Sequence, residues 1–427
     1  MEFAVSVFYN FDEVIMKKQF RPFIGFLVLA LAALACTSPL GGNEEQSSSP
    51  DQVATIVAST LQALTPVAEA ESTPEPEVEE PASLLPHSLY YLGNDSANLS
   101  QVFRMEKDGV TTRQLTFESD SVGSYGISPV DGSVAYVANN QMILIEADGS
   151  GRRVLVDGGP VDQNNPFLTS INSPVFSPDG KSVAYGMGGL NFYSLETGKS
   201  NLVIENQLDD LGNGLIVPRE LYWPEKYSPD GQKLLLTLGY YEGASSAIYY
   251  PNGNALVRLD NAEGAMICCG DPNWSFDNAT LYSANPYMGM FMSGLWKVDA
   301  SNGDVTTLLP GDAGNGTFNF ATDAYLAPDG QLYFFFVNLK TEQDFTVRSP
   351  LQLVRSSPDG VTGRTVLRPE TFDLLNEALW SPDASFVLAA IAPINDIYTG
   401  GRVEMVYLDG RPNVVLIPFA QRLKWGP

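Results

Sequence analysis

Histidine is almost missing from this sequence. His87 is the only one, and three cysteines are spread over 427 residues. That excludes a zinc site of the common His/Cys kind and leaves any histidine-based catalytic centre resting on His87 alone. Basic residues are scarce as well: Lys and Arg total 24 against 50 Asp and Glu, for a formal net charge of −26. Contact with a phosphate backbone needs a basic footprint, so no nucleic-acid partner is expected. There is no Gly-x-Ser-x-Gly elbow, which removes the serine-hydrolase arrangement. Gly198-Lys199-Ser200 mimics the end of a phosphate-binding loop, but Tyr193 stands where the first glycine belongs, and a hairpin turn is the reading. Asp299-Ala300-Ser301-Asn302-Gly303-Asp304 is faintly like a calcium loop, yet it lies at a recurrent turn. Neither a cofactor nor a metal is expected.

What is present begins with an address. Met16-Lys17-Lys18-Gln19-Phe20-Arg21 is a basic n-region, and Phe23–Ala35 is an uncharged run ahead of Cys36. At ~1.5 Å per residue that run covers about 20 Å, short of a ~30 Å hydrocarbon core. Residues 1–35 therefore read as an export signal, with Met16 as the expected start because three acids precede it. Ala32-Ala33-Leu34-Ala35-Cys36 resembles a bacterial lipobox, which implies a lipid on Cys36 and a membrane partner through that anchor. Residues 36–86 carry nine acids and no Lys or Arg after Cys36, with Ser, Pro and Thr runs, and read as an extended, disordered tether. Within it, Val53, Ile56, Val57, Leu61 and Leu64 recur at helical spacing behind a Ser49-Pro50-Asp51-Gln52 start, which predicts a short helix near 50–64.

From His87 to Pro427 the chain repeats. A large apolar residue precedes a Ser-Pro-Asp-Gly-type turn at Ile127, Phe176, Tyr227, Trp274, Leu326, Trp380 and Trp425, at intervals of 45 to 54 residues. Each of these turns but the last leads into a β-rich strand, a second strand, a tight Asp/Gly turn and a closing strand. Four antiparallel strands per unit predict an all-β chain, a seven-bladed β-propeller. The first unit, from Ser88 to Thr116, lacks a leading strand, and the last, Arg422–Pro427, supplies only one. Paired, they make one blade and remove both sheet edges.

The aromatic-Ser-Pro-Asp-Gly turns, seen whole at Phe176–Gly180 and Tyr227–Gly231, resemble those of the TolB-type, WD40-like propeller repeats. The resemblance spans 87–427 and implies the propeller fold. Similar repeats precede peptidase domains. The chain departs from TolB itself in having no N-terminal α/β domain and seven units rather than six, so TolB's own partner does not carry over.

Loop lengths divide the expected propeller into two faces. The first-to-second and third-to-fourth turns are tight. The opposite face takes long segments at 157–173, 205–225, 240–254, 285–294, 338–350 and 393–401. These hold Trp223, Tyr240, Tyr241, Tyr249, Tyr250, Tyr287, Phe291, Phe345 and Tyr398, with Asp209, Asp210 and Asp396. Aromatics beside acids suit a protein, peptide, glycan or cationic partner bound without catalysis. Two other readings stay open. One is a propeller glycoside hydrolase or lyase using channel-facing carboxylates drawn from distant blades. The other is an envelope assembly scaffold held through its helix and tether. Cys268-Cys269 could close a vicinal disulfide after export, or remain two free thiols.

Overall fold

The computed structural model describes residues 83–212, 214–241, 243–259, 272–286, 293–340 and 348–427. Cys36, the export signal, the acidic tether and the helix expected near 50–64 lie outside the described residues.

The strands fall into sets of four. β1 (Leu89–Asn94), β2 (Ser100–Met105) and β3 (Thr112–Gln114) open the series. β4 (Ser124–Ile127), β5 (Val134–Ala138), β6 (Gln141–Ile145) and β7 (Arg153–Asp157) form one sheet. β8 (Asn172–Phe176), β9 (Ser182–Gly186), β10 (Gly189–Ser194) and β11 (Lys199–Glu205) form the next. A short extra strand, β12 (Gln207–Asp210), joins β13 (Ile216–Tyr227), β14 (Leu234–Tyr240), β15 (Gly243–Tyr250) and β16 (Ala255–Arg258). Then come β17 (Asn273–Trp274), β18 (Thr280–Asn285), β19 (Gly294–Asp299) and β20 (Val305–Pro310), followed by β21 (Phe318–Leu326), β22 (Leu332–Leu339), β23 (Gln352–Ser356) and β24 (Thr365–Val366). β25 (Leu375–Trp380), β26 (Phe386–Ile391), β27 (Gly401–Tyr407) and β28 (Val414–Trp425) end the chain. Every pairing is antiparallel, and no α-helix occurs among the described residues.

The repeated turn explains why each set begins as it does. In the second sheet, Ser177 N–H donates to Ser182 O (2.9 Å) and Gly180 N–H donates to Ser177 O (2.8 Å). Asp179 Oδ1 accepts from Ser177 Oγ (2.6 Å) and from Lys181 N–H (3.1 Å), while Ser177 Oγ accepts from Ser182 N–H (3.0 Å). The turn therefore satisfies its own backbone groups, and Gly180 takes the positive φ of 69° that closes it. Ser228–Lys233 repeats the same bonds.

Strand residues alternate between two apolar clusters. Tyr90 and Leu92 pack with Val134 and Tyr136, whereas Leu89 and Tyr91 pack with Leu388 and Met405. Leu234 and Leu236 pack with Ala184 and Leu190, whereas Leu235 packs with Trp274 and Leu281. Each sheet thus buries both faces, one against the sheet before and one against the sheet after, which is why its central strands read as continuous apolar runs.

The first and last described strands pair as the repeat count requires. The first half of β28 pairs with β27 (Met405↔Val414, Val403↔Ile417), and its second half pairs with β1 (Leu89↔Trp425, Leu92↔Gln421). β25, β26, β27, β28, β1, β2 and β3 accordingly make one continuous sheet.

Candidate functional site

Within each set the leading strand runs to the Ser-Pro-Asp-Gly turn, so two rims result. The short turns, such as Ser128–Ser133, Ser177–Ser182 and Ser228–Lys233, share one rim. The other rim collects the connections between sets. The leading strands are joined in succession by side chains that reach backbone groups of the next. Asn273 Nδ2 donates to Ala324 O (3.1 Å), and Ala378 N–H donates to Asp323 Oδ1 (3.2 Å). Trp380 Nε1 donates to Asp323 O (2.7 Å), and Trp425 Nε1 donates to Trp380 O (2.7 Å). The Glu377 carboxylate takes both Arg422 N–H (2.7 Å) and Leu423 N–H (2.5 Å). Tyr125 Oη donates to Arg422 O (2.5 Å), Lys424 Nζ donates to Tyr125 O (2.7 Å), and Ser173 N–H donates to Ser124 Oγ (3.2 Å).

Bulges make these contacts possible. Pairing registers shift within β8, β13, β21 and β25, and Ser173, Asp323 and Arg422 take positive φ of 51°, 53° and 55°. An extra residue in each of these four leading strands turns backbone N–H and C=O groups out of the ladder, where neighbours bond them. The acids Asp323 and Glu377, which a sequence reading could assign to acid–base work, serve as backbone acceptors in this chain of contacts.

Apolar side chains are exposed on both rims: Val110, Val130, Phe276 and Val361 stand on the short-turn rim, and the rim of connections adds a hairpin. β13 is twelve residues long, and only its Leu221–Tyr227 part pairs with β14. Its first half pairs with β12 (Asp210↔Ile216, Leu208↔Pro218), so this hairpin extends beyond the end of β14. Its tip closes through Leu211 N–H to Leu215 O (2.9 Å), leaving Leu211 61% and Leu215 54% exposed. Phe117, Tyr241, Ile394 and Tyr398 are exposed on the same rim.

Sequence candidates land unevenly. Tyr241 and Tyr398 are exposed on this rim, and Tyr240 and Trp223 are half-buried at the β13–β14 edge. The Trp223 ring occupies the space where a Cβ on Gly239 would sit. Tyr398 is held by Arg348, whose guanidinium lies 4.6 Å from its ring and donates to Asn395 O (3.1 Å), Asn376 Oδ1 (2.9 Å) and Ile397 O. Asp396 is exposed on the same segment. Asp209 pairs with Arg219 across the hairpin, a contact that holds its carboxyl below the usual aspartate range. Asp210 receives Gly212 N–H at 2.8 Å. Segment 205–225 is thus largely β-hairpin rather than the irregular loop expected.

Tyr249 and Tyr250 require a correction. Segment 240–254 is not a long loop, because Tyr240 pairs with Gly243 and β15 runs back to the short-turn rim. Tyr249 sits opposite Leu234, is 3% exposed and donates to Asn254 Oδ1 (2.9 Å). Tyr250 Oη donates to Ala300 O (2.8 Å), joining two neighbouring sheets. Both are packing residues on the opposite rim. The faintly calcium-like stretch is a self-bonded turn, with Asp299 Oδ1 accepting from Ser301 N–H and Oγ. Tyr287, Phe291, Phe345, Cys268 and Cys269 lie outside the described residues.

Two Glu–Tyr–Arg groups brace the connections. Glu118 accepts from Tyr136 Oη (2.7 Å) and from Arg152 Nε (2.8 Å) and Nη2 (3.1 Å). The Arg152 bond holds the Glu118 carboxyl below its usual value. Glu220 is gripped by Arg258 and accepts from Tyr222 Oη (2.5 Å); burial pushes that phenol up to about 12. Arg348 and these Glu–Tyr–Arg groups have no sequence signal, since their members come from segments without a shared motif.

No family model matches the chain, and no curated protein matches it. Among solved structures it is similar to TolB from Acinetobacter baumannii, at 15% identity over 80% of this chain and 67% of that one, with a TM-score of 0.41. It is also similar to an oligogalacturonate lyase in complex with manganese (11% identity, 77% and 84% covered, TM-score 0.47). A third is a prolyl endopeptidase (14% identity, TM-score 0.48), where 77% of this chain is covered and it spans less than half of that one, 47%. The architecture given above stands on the strand pairings, independent of these likenesses.

Proposed function

We propose that this chain is a closed seven-bladed β-propeller, carried outside the cytoplasm on a lipidated Cys36, that binds a protein, peptide or glycan through its rim of connections without catalysis. The pairing of β28 with β1 and the apolar clusters between successive sheets support the ring. The observation that carries the function is the protruding β12–β13 hairpin, with Leu211 and Leu215 exposed on the rim that also exposes Phe117, Tyr241 and Tyr398. Apolar side chains held above a rigid scaffold are the usual equipment of a binding face. Asp323 and Glu377 hold the neighbouring strands together, which favours binding over carboxylate chemistry.

The test is a screen of glycan and peptide arrays with the intact protein, followed by variants. Ala at Leu211, Leu215, Tyr241 and Tyr398 should weaken the ligand found by about 30-fold, near 2 kcal/mol, with little change in thermal midpoint. Lys181→Ala and Lys199→Ala on the opposite rim should leave binding unchanged. Equal losses from both sets would place the site elsewhere, and depolymerisation of a bound glycan would establish an enzyme. Separately, Cys36→Ala should release the protein from membranes or leave its precursor uncut.

A further inference from the structure

The seam between the third and fourth complete sheets differs from its counterparts. At two later seams, those led by β25 and β28, a tryptophan at the end of the leading strand donates to the preceding one: Trp380 to Asp323 O and Trp425 to Trp380 O. The equivalent Trp274 buries its Nε1 without a partner among the described residues. On the short-turn rim the same seam opens into a cavity of about 320 Å³, lined by Lys233, Asn278, Thr280, Lys297, Asp299 and Ser301. That is the lower end of the range for small-molecule sites, ~300–1,000 Å³.

The polar groups around it are not balanced. The nearby carboxylates are turned towards their own turns. Asp299 Oδ1 takes Ser301 N–H (2.8 Å) and Oγ (2.6 Å), and Asp277 Oδ1 takes Ser275 Oγ (2.6 Å) and Ala279 N–H (3.0 Å). Asp230 Oδ1 takes Ser228 Oγ (2.5 Å) and Gln232 N–H (3.0 Å). The donors are less fully engaged. Lys297 makes no direct ion pair among the described residues, although its charge reaches the Asp299 and Asp277 carboxylates. Lys233, with a side chain only 15% exposed, has a single contact at 3.5 Å, to Asp230 Oδ2. Asn278 uses its Oδ1 to accept Asp230 N–H (2.9 Å), which directs its unpartnered Nδ2 amide as a further donor. Thr280 Oγ1 likewise has no partner among the described residues.

Two ammonium groups, an amide NH2 and a hydroxyl around one small cavity offer donors to an oxyanion, beside one lining carboxylate, Asp299, whose Oδ1 is committed to Ser301. We infer that this cavity binds the carboxylate or phosphate head of a small anionic ligand, at a site separate from the rim of connections. The excess negative charge of the chain repels anions at long range, so affinity arises from these short contacts.

Calorimetry on the intact protein with inorganic phosphate, D-glucuronate and D-glucose tests this. Saturable binding of at least one anion in the millimolar range, and none of glucose, is expected. Lys297→Gln should weaken it by about tenfold or more, the loss of one charged hydrogen bond. Asn278→Asp gives a second reading. It keeps the Oδ1 acceptor and the φ of 61°, which Asp tolerates, but exchanges the donor amide for negative charge, and should abolish binding. Phosphate alone would identify a phosphoryl ligand, and glucuronate alone a carboxylate. Glucose bound as tightly as the anions, equal binding by both variants, or no binding by about 50 mM would overturn the assignment.

Discussion

Ala384 occupies the turn position that Gly180, Gly231 and Gly330 hold in other sets, with the same positive φ, 53°. A Cβ in that conformation costs ~1–2 kcal/mol, part of which glycine forfeits through its looser unfolded chain, ~0.5–1 kcal/mol. Ala384→Gly should therefore raise stability by about 0.5 kcal/mol in urea unfolding. A fall instead would mean that the methyl, which packs in the cluster of Trp380 and Tyr333, contributes more than the strain costs. Arg348 acts in the opposite sense, since one guanidinium fastens the segment that carries Tyr398. Arg348→Ala should raise amide exchange at 394–400 by about tenfold or more, consistent with losing charged hydrogen bonds worth ~1.5–3 kcal/mol each. Arg348→Lys should rescue little, because the fork geometry is lost. The glycine position was legible in the sequence as a repeated motif. Arg348 was not, because its partners lie 27 to 49 positions away and obey no period.

At the scale of the element, the turns are the acid-sensitive parts. Asp108, Asp179, Asp277, Asp299 and Asp359 are each held below the usual aspartate value by a Ser or Thr hydroxyl and then by backbone N–H groups. A depressed folded-state value means stability present above the unfolded value, ~3.9, and lost as the pH falls towards the folded one. The thermal midpoint should therefore decline steeply below about pH 4, and Asp179→Asn with Asp277→Asn should flatten that decline. An acid limb unchanged in the double variant would locate the sensitivity outside the turns. These turns also explain how well the strand order could be read: Ser-Pro-Asp-Gly fixes the reversal by local bonds alone. The β14–β15 reversal has no such marker. Its strands bury both faces, so the run from Leu234 to Tyr250 shows no alternation, and Tyr249 and Tyr250 were read onto the wrong rim. The β12–β13 hairpin was hidden for a related reason, being an addition to one set that no repeat predicts.

For the whole molecule, β28 matters most. It closes one set and opens another, and Trp425 packs edge-on to Phe386 at 6.2 Å while bonding Trp380 O. Removing residues 421–427 should lower the thermal midpoint by several degrees and expose the β1 edge to aggregation, since the ladder bonds of β28 to β1 and the half-buried Trp425 ring are lost together. An unchanged melt would show that β1 is content without its partner. The join was legible because the first repeat lacked a strand and the last supplied one.

That same join sets an order of events in the cell. Leu89 is synthesised 425 − 89 = 336 residues before its partner Trp425. At ~5–20 residues per second the first set spends roughly 20 to 70 seconds with an open edge. Over that interval its Leu89–Leu92 run, apolar on both faces, is a template for any extended chain nearby. A holdase that covers this edge until β28 emerges would raise the yield of folded protein, and its benefit should disappear in a permuted chain that begins at Val414.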